Sequence, residues 1–338
     1  MKAIVVREWT DPQEFFLEEL PIPEPGPGEV LVKIHTAGIN FGDTLTASGR
    51  YQVQPHLPFT PGAECSGVVE AVGKEIRDYK PGDSVAAIGF IGKARVDRRL
   101  LGSCREYAAV PPRNLARLPD GVDLERAALF RSKYETSYFC LQEGNLKPGE
   151  TLLVLGAGGG TGQAAVALGK IMGARVLASA SSPEKRKIAL DAGADAAIDS
   201  RAADWRKQVE AFAGLRGVDV IYDPVGGDMS ERAFRTLGYH GRFLVVGFAA
   251  GTIPKLPLNL PLMKAASVVG TNMLVAWEAE PERIAKNAKY LAGLLADGKI
   301  TLPPIARRYP LAQTADAFRA VASGEIAGRI VVSVAGNA

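Results

Sequence analysis

A run of strand-forming residues, Thr151-Leu152-Leu153-Val154-Leu155, passes directly into Gly156-Ala157-Gly158-Gly159-Gly160-Thr161-Gly162 and then into a helical stretch, Gln163 to Met172. Strand, glycine turn and helix in immediate succession restrict the fold more than any other feature of the chain. The glycines allow a sharp turn and let the backbone approach a pyrophosphate, whose charge rests on the exposed N–H groups at the helix N-terminus. The spacing is Gly-x-x-Gly-x-x-Gly at 156, 159 and 162; the stricter Gly-x-Gly-x-x-Gly fails because Thr161 stands at its third glycine. The flanking strand and helix therefore carry the dinucleotide reading, against the alternative of a glycine-rich turn with no ligand. The uncharged stretch Thr151 to Gly169 approaches membrane-span length, but its glycines suit a turn better than a lipid-facing helix.

The texture on either side of this motif differs. The chain has 338 residues, enough for two lobes. Up to about Asp120 it reads as short β-rich runs broken by Pro and Gly, such as Glu29 to Ile34, Ser66 to Val72, Asp83 to Ala87 and Arg105 to Val110. From Leu124 helix and strand alternate. Strands are expected at Thr151–Leu155, Arg175–Ala178, Ala196–Asp199, Val218–Tyr222, Arg242–Val246 and Ser267–Asn272, the pattern of a doubly wound parallel sheet. Beyond Met273 a helix (about Pro281 to Asp297), a strand (Ile305 to Tyr309), a helix (Leu311 to Ser323) and a last strand (Arg329 to Val334) are expected to return to the first lobe. The reading is α/β, divided as 1–121, 122–273 and 274–338.

Charge and cysteine usage exclude several classes. Forty Lys and Arg against 37 Asp and Glu leave +3, too little to make nucleic acid or a membrane surface the main partner. The start, Met1 to Arg7, lacks the apolar core of a signal peptide and reads as a strand. Cys65, Cys104 and Cys140 form neither a disulfide framework nor a Cys-x-x-Cys pair, which fits the cytoplasm.

Cofactor preference is read at the end of the second strand, where an NAD-preferring fold places an acid for the ribose 2′-hydroxyl. Here Arg175-Val176-Leu177-Ala178 runs into Ser179-Ala180-Ser181-Ser182-Pro183-Glu184-Lys185-Arg186, whose hydroxyls and cations suit a 2′-phosphate. NADPH is expected, with Ser181 and Lys185 as contacts and Arg201 as a further candidate. The alternative is a solvated helix start carrying Lys185, Arg186 and Lys187.

Further segments carry a family resemblance. They are Gly38-Ile39-Asn40-Phe41-Gly42-Asp43, Gly49-Arg50-Tyr51, Leu57-Pro58-Phe59-Thr60-Pro61-Gly62-Ala63-Glu64, Gly149-Glu150-Thr151, Ser181-Ser182-Pro183-Glu184-Lys185, Asp223-Pro224-Val225-Gly226-Gly227, Gly241-Arg242 and Gly247-Phe248. With the glycine loop they span nearly the whole chain, which resembles the medium-chain dehydrogenase/reductase superfamily and in particular its zinc-free NADPH:quinone oxidoreductase, or zeta-crystallin-like, branch. The resemblance implies a GroES-like β-rich catalytic domain over 1–121, a Rossmann NADPH-binding domain over 122–273, a C-terminal return to the catalytic domain and an active-site cleft. It carries cofactor contacts to Thr136, Gly156, Gly159, Gly160, Thr161, Gly162, Val225, Gly247 and Phe248. Zinc members would have a cysteine where Asn40 stands and a histidine where Ala63 stands, so no metal site is expected. His35, His56 and His240 match no metal spacing.

Hydride transfer without a metal Lewis acid needs an acceptor that is already electrophilic. A quinone qualifies, as does an alkene conjugated to a carbonyl, because the incoming charge delocalises onto an oxygen that hydrogen-bond donors stabilise. By resemblance Asn40 is the neutral donor beside the nicotinamide or substrate carbonyl, Tyr51 donates a hydrogen bond or proton, and Lys133, in register with a lysine of some relatives, faces the cofactor. Turn satisfaction for Asn40 and loop packing for Tyr51 are the alternatives. Arg131 either recognises an anionic tail or is exposed. The leading expectation is an NADPH-dependent reductase of quinones or activated alkenes; the rivals are an enoyl-CoA or enone reductase with a specific anionic substrate, and a non-catalytic NADPH-binding crystallin-like protein. The β-branched run Ser267 to Asn272, as the last strand of an open sheet, implies a homodimer in which two such edges pair.

Overall fold

The computed structural model describes residues 1–9, 15–51, 54–89 and 102–335. The chain forms two compact units, Met1–Ser132 with Ala288–Ala338, and Lys133–Asn287. In the first, β1 (Lys2–Val5) pairs antiparallel with β2 (Phe16–Glu19). The Pro-Gly turn before Glu29 then releases the chain into β3 (Val30–Gly38), which leads to a helix, α1 (Phe41–Ala47). The strands β4 (Glu64–Val72), β5 (Ser84–Ile88), β6 (Tyr107–Val110) and β7 (Leu115–Arg117) follow.

Helix α1 was not expected within a β-rich lobe. Its start is a local device: the Asn40 N–H donates to Asp43 Oδ2 at 2.7 Å, and Asp43 also places a negative charge in the first turn. A short helix, α2 (Leu124–Ala127), packs on β3 and β4, and the Ser66 hydroxyl donates to the Leu124 carbonyl at 2.5 Å. These ties place residues 122–132 with the first unit, so the division falls at Ser132/Lys133, within α3 (Arg131–Glu143), instead of near 121.

The second unit winds around a six-stranded sheet. Its elements are β8 (Thr151–Leu155), α4 (Gly160–Ile171), β9 (Arg175–Ala180), α5 (Pro183–Asp191), β10 (Ala196–Asp199), α6 (Trp205–Ala213), β11 (Val218–Asp223), α7 (Asp228–Phe234), β12 (Leu237–Val245), α8 (Asn259–Lys264) and β13 (Ser267–Gly270). The strand order is β10-β9-β8-β11-β12-β13, and every pairing is parallel. β8 is buried along its whole length, as a central parallel strand covered on both faces must be. β12 begins at Leu237, ahead of the expected Arg242, because Gly238, Gly241 and His240 at φ 59° mask the strand pattern there.

The helices α9 (Met273–Ala279) and α10 (Pro281–Ala296) come next, and the second division, at Asn287/Ala288, lies inside α10 instead of near 273. The chain then re-enters the first unit through β14 (Ile305–Pro310), α11 (Thr314–Ser323) and β15 (Arg329–Ser333). β15 pairs antiparallel with β3 and completes the order β14-β15-β3-β4-β5-β7, with β6 also on β3. Ile4, Val32, Ile34, Val85 and Val332 share one core with Phe318 of α11, against which Phe15 packs edge-on at 4.9 Å.

Candidate functional site

The strand order of the second unit reverses between β8 and β11, the switch point at which such sheets bind ligands beyond their carboxyl ends. The glycine loop leaves β8 there. Gly156 holds φ 58°, a left-handed conformation that favours glycine, and a Cβ on Gly162 would lie 2.7 Å from Ala157 Cα while overlapping the Gly156 carbonyl oxygen. The helix therefore starts hard against the strand. Its N-cap, Gly159, brings no side chain to cap it. What remains is a cradle of backbone N–H groups at the positive end of a 12-residue helix, which fits a pyrophosphate.

The end of β9 lies beside this cradle. A Cβ on Gly158 would sit 2.5 Å from Lys185 Cβ, so the lysine stem lies on the glycine loop. Ser182 accepts from the Lys185 N–H at 3.3 Å and caps α5, which keeps Ser181 in the turn between strand and helix. Asp199, the acid that ends β10, is engaged elsewhere: it pairs with Arg186 at 3.0 Å and accepts from the Arg201 N–H at 2.9 Å. The Arg201 N–H bond, with Arg186 adding to it, keeps the Asp199 carboxyl below its usual range. Arg201 itself is exposed in the turn after β10.

On the other side of the switch point, buried Asp223 accepts from the N–H groups of Val225 and Gly226 at 2.8 and 3.0 Å and from the Ser230 hydroxyl at 2.5 Å. The loops after β11 and β12 then run together, Ala249 and Ala250 donating to the carbonyls of Pro224 and Val225 at 3.1 and 2.8 Å. A Cβ on Gly156 would meet Val225 Cγ2 at 2.8 Å, one on Gly247 the Pro224 oxygen at 3.3 Å, and one on Gly226 Phe248 Cδ1 at 3.0 Å. Val225, Gly247 and Phe248 thus gather with the glycine loop. Ser137, next to half-buried Thr136, donates to the Thr161 carbonyl at 2.9 Å and shares a 3.0 Å bond with the Tyr222 hydroxyl. Burial holds that hydroxyl protonated. Lys133 is 4% exposed, so it does not face solvent. Ser137 and Tyr222 carry no signal in the sequence; Asp223 stands out there only as the first residue of the Asp-Pro-Val-Gly-Gly turn segment.

In the first unit Asn40 and Tyr51 come together around Asp43. A Cβ on Gly42 would lie 3.6 Å from the Tyr51 ring. Burial, and then the Asp43 carboxylate, push the Tyr51 hydroxyl above its ordinary pKa. The Asn40 side chain donates through Nδ2 to Glu64 Oε1 at 3.1 Å and accepts at Oδ1 from Arg329 Nη2 at 3.0 Å. Glu64 is 1% exposed, and its Oε2 accepts from the Ser132 N–H at 3.1 Å. Asn40 is thus more than a turn residue. Arg131 is not the exposed cation of one expectation: it is 1% exposed, and its Nη1 donates to the Asn114 carbonyl. Among the described residues no group of three or more His, Cys, Asp or Glu converges to hold a metal ion, and no helix is long and apolar enough to cross a membrane.

Comparison with known proteins agrees with the two-domain fold. Residues 26–120 match the family model described as the alcohol dehydrogenase GroES-like domain, and residues 160–288 the model described as zinc-binding dehydrogenase. The chain is 35% identical over 324 residues to quinone oxidoreductase-like protein 2 of Bos taurus, covering 94% of this chain and 88% of that protein. It superposes on the quinone oxidoreductase of Pseudomonas syringae pv. tomato at a TM-score of 0.86 and 30% identity, over 98% of this chain and 99% of the other. Escherichia coli quinone oxidoreductase complexed with NADPH gives 0.85 at 27% identity, over 98% and 100%.

Proposed function

This chain is a member of the quinone oxidoreductase branch of the medium-chain dehydrogenase/reductase family, and on that premise we propose that it is an NADPH-dependent reductase delivering hydride to a quinone or to the β-carbon of a carbonyl-conjugated alkene. The observation that carries the cofactor is the Lys185 stem lying on Gly158, at a β9 end that has no acid, while Asp199 is held by Arg186. The backbone N–H groups of Gly160, Thr161 and Gly162 hold the pyrophosphate, Lys185 and Ser181 the 2′-phosphate, and Val225, Gly247, Phe248 and Thr136 the remainder. Arg201 is a second cation for the same phosphate. When bound, the nicotinamide supplies the hydride.

Asn40 and Ala63 are not metal ligands, so the acceptor must be electrophilic on its own account. Asn40 donates to the acceptor's oxygen as charge gathers there. Tyr51, kept protonated by burial, returns a proton to the reduced alkene; a quinol takes its protons from water. Three reduced, buried cysteines suit a cytoplasmic enzyme. In the rival with an anionic substrate, Arg131 or Lys133 would bind a phosphate or carboxylate, and one Arg131 donor is already on the Asn114 carbonyl.

The deciding experiment follows NADPH absorbance with a panel of quinones, enones and enoyl-CoAs. Turnover is expected with quinones or simple enones, faster with NADPH than with NADH. Turnover confined to enoyl-CoAs would favour the anionic-substrate reading, and none with any acceptor the non-catalytic one.

A further inference from the structure

The Asn40 amide is gripped at both ends by residues of opposite hydrogen-bonding character. Arg329, from β15, has only N–H donors and faces Oδ1 at 3.0 Å; the Glu64 carboxylate, from β4, has only acceptors and faces Nδ2 at 3.1 Å. Turning the amide over would set NH2 against a guanidinium and a carbonyl oxygen against a carboxylate. Glu64 cannot swing aside, because it is buried and its other oxygen holds the Ser132 N–H. Arg329 is half-buried with its Nε shut off from solvent, and burial lowers its pKa to about 10 against the opposing Asp43 carboxylate, so it stays a cation at neutral pH. The backbone N–H of Asn40 is also fixed, on Asp43 Oδ2. One amide N–H goes to Glu64, which leaves the second for a ligand.

We infer that Arg329 and Glu64 are positioning residues that lock the Asn40 amide so that an N–H, and never its oxygen, meets the hydride acceptor. This rests on the reading that Asn40 donates to the acceptor's oxygen. A freely turning amide would spend part of its time presenting Oδ1 to an oxygen that is gaining negative charge, and that population is unproductive. The lock makes the donor ready before charge develops, which is the condition under which such donors accelerate a reaction. It also selects acceptors whose developing charge falls on an oxygen.

The test uses Arg329→Met and Asn40→Ala, singly and together, in the full chain. The first reading is hydrogen exchange of the Asn40 side-chain amide by NMR without cofactor or substrate, its signals assigned by their loss in Asn40→Ala. Exchange is expected to be at least about tenfold faster in Arg329→Met, since the clamp at Oδ1 has gone. The second reading is kinetic. Arg329→Met should lower kcat with a quinone about tenfold, change KM less than about twofold, and lower kcat less than about twofold further in the Asn40→Ala background. If Arg329→Met does not fold, Arg329→Lys, which keeps a cation on a shorter donor, is read the same two ways. Unchanged exchange in a folded variant, or losses that simply multiply in the double variant, would overturn the lock. Wild-type kcat in Asn40→Ala would overturn the catalytic reading of Asn40 instead, with exchange alone then judging the lock.

Discussion

Lys185 and Tyr51 are residues whose chemistry depends on what lies under their side chains. The Lys185 stem lies against Gly158, and on the proposed function its ammonium would form a charge-assisted hydrogen bond with a 2′-phosphate. Lys185→Ala is expected to weaken NADPH binding by about 1–3 kcal/mol and to leave NADH binding unchanged, measured by titration calorimetry. Equal losses for both cofactors would remove Lys185 from the 2′-phosphate. Burial, and then Asp43, raise the Tyr51 pKa above its ordinary value, so its hydroxyl remains a proton donor through neutral pH. Tyr51→Phe should slow alkene reduction by roughly a hundredfold and spare quinone reduction, and the wild-type alkene rate should show no loss from Tyr51 across neutral pH. A Phe variant as fast as wild type with an enone would end its role as the acid.

Where β8 turns into α4, Gly156, Gly158 and Gly162 have no room for a side chain. Gly162→Ala would push a methyl onto the Gly156 carbonyl and Ala157 Cα. Destabilisation of about 1–3 kcal/mol is expected, with NADPH affinity falling further than stability alone explains, read by thermal melts and cofactor titration. At the far edge of the same sheet, β13 has one neighbour, β12, and Val268 is 49% exposed; Leu258, Leu262 and Met263 on or beside α8 are 81%, 81% and 78% exposed. An open strand edge next to bare apolar residues is a surface that soluble chains cover. We expect a homodimer by light scattering at micromolar concentration and a monomer for Val268→Lys. A wild-type monomer would leave this edge without its partner.

Over the whole molecule, all three cysteines are free and buried. Burial raises Cys65 and Cys140 from 9.0 to about 12 and takes Cys104 well above 9.0. A raised acid pKa means the folded state keeps protons that the unfolded chain releases, so stability is complete below pH 9 and declines as pH climbs. From pH 9 to 10 each thiol should cost about 1 kcal/mol, before Arg105 and Arg329, lowered to about 10, act with the opposite sign. Denaturant melts at the two pH values measure this, and Cys65→Ala should flatten the slope. A flat wild-type profile would show that the thiols do not control alkaline stability.

The two-unit fold was legible before any coordinates, because the period of a strand, the alternation of strand and helix and a glycine turn are local properties of the chain. The same holds for the glycine turn, whose glycines all fall within 156–162, and for the missing acid after β9. The short helix α1 was less legible: its capping signal, Asn40 with Asp43, sits among residues otherwise read as strand and turn. Arg131 leaves two readings open in sequence, an anionic-tail contact or exposure, because a guanidinium bonded to a buried carbonyl looks there like one bonded to water. What only the tertiary structure decided is how Asn40 is held. Its partners Glu64 and Arg329 stand 24 and 289 positions away. The first contact arises when β4 pairs with β3 and the second when β15 returns to pair with β3, and no local pattern of residues records them.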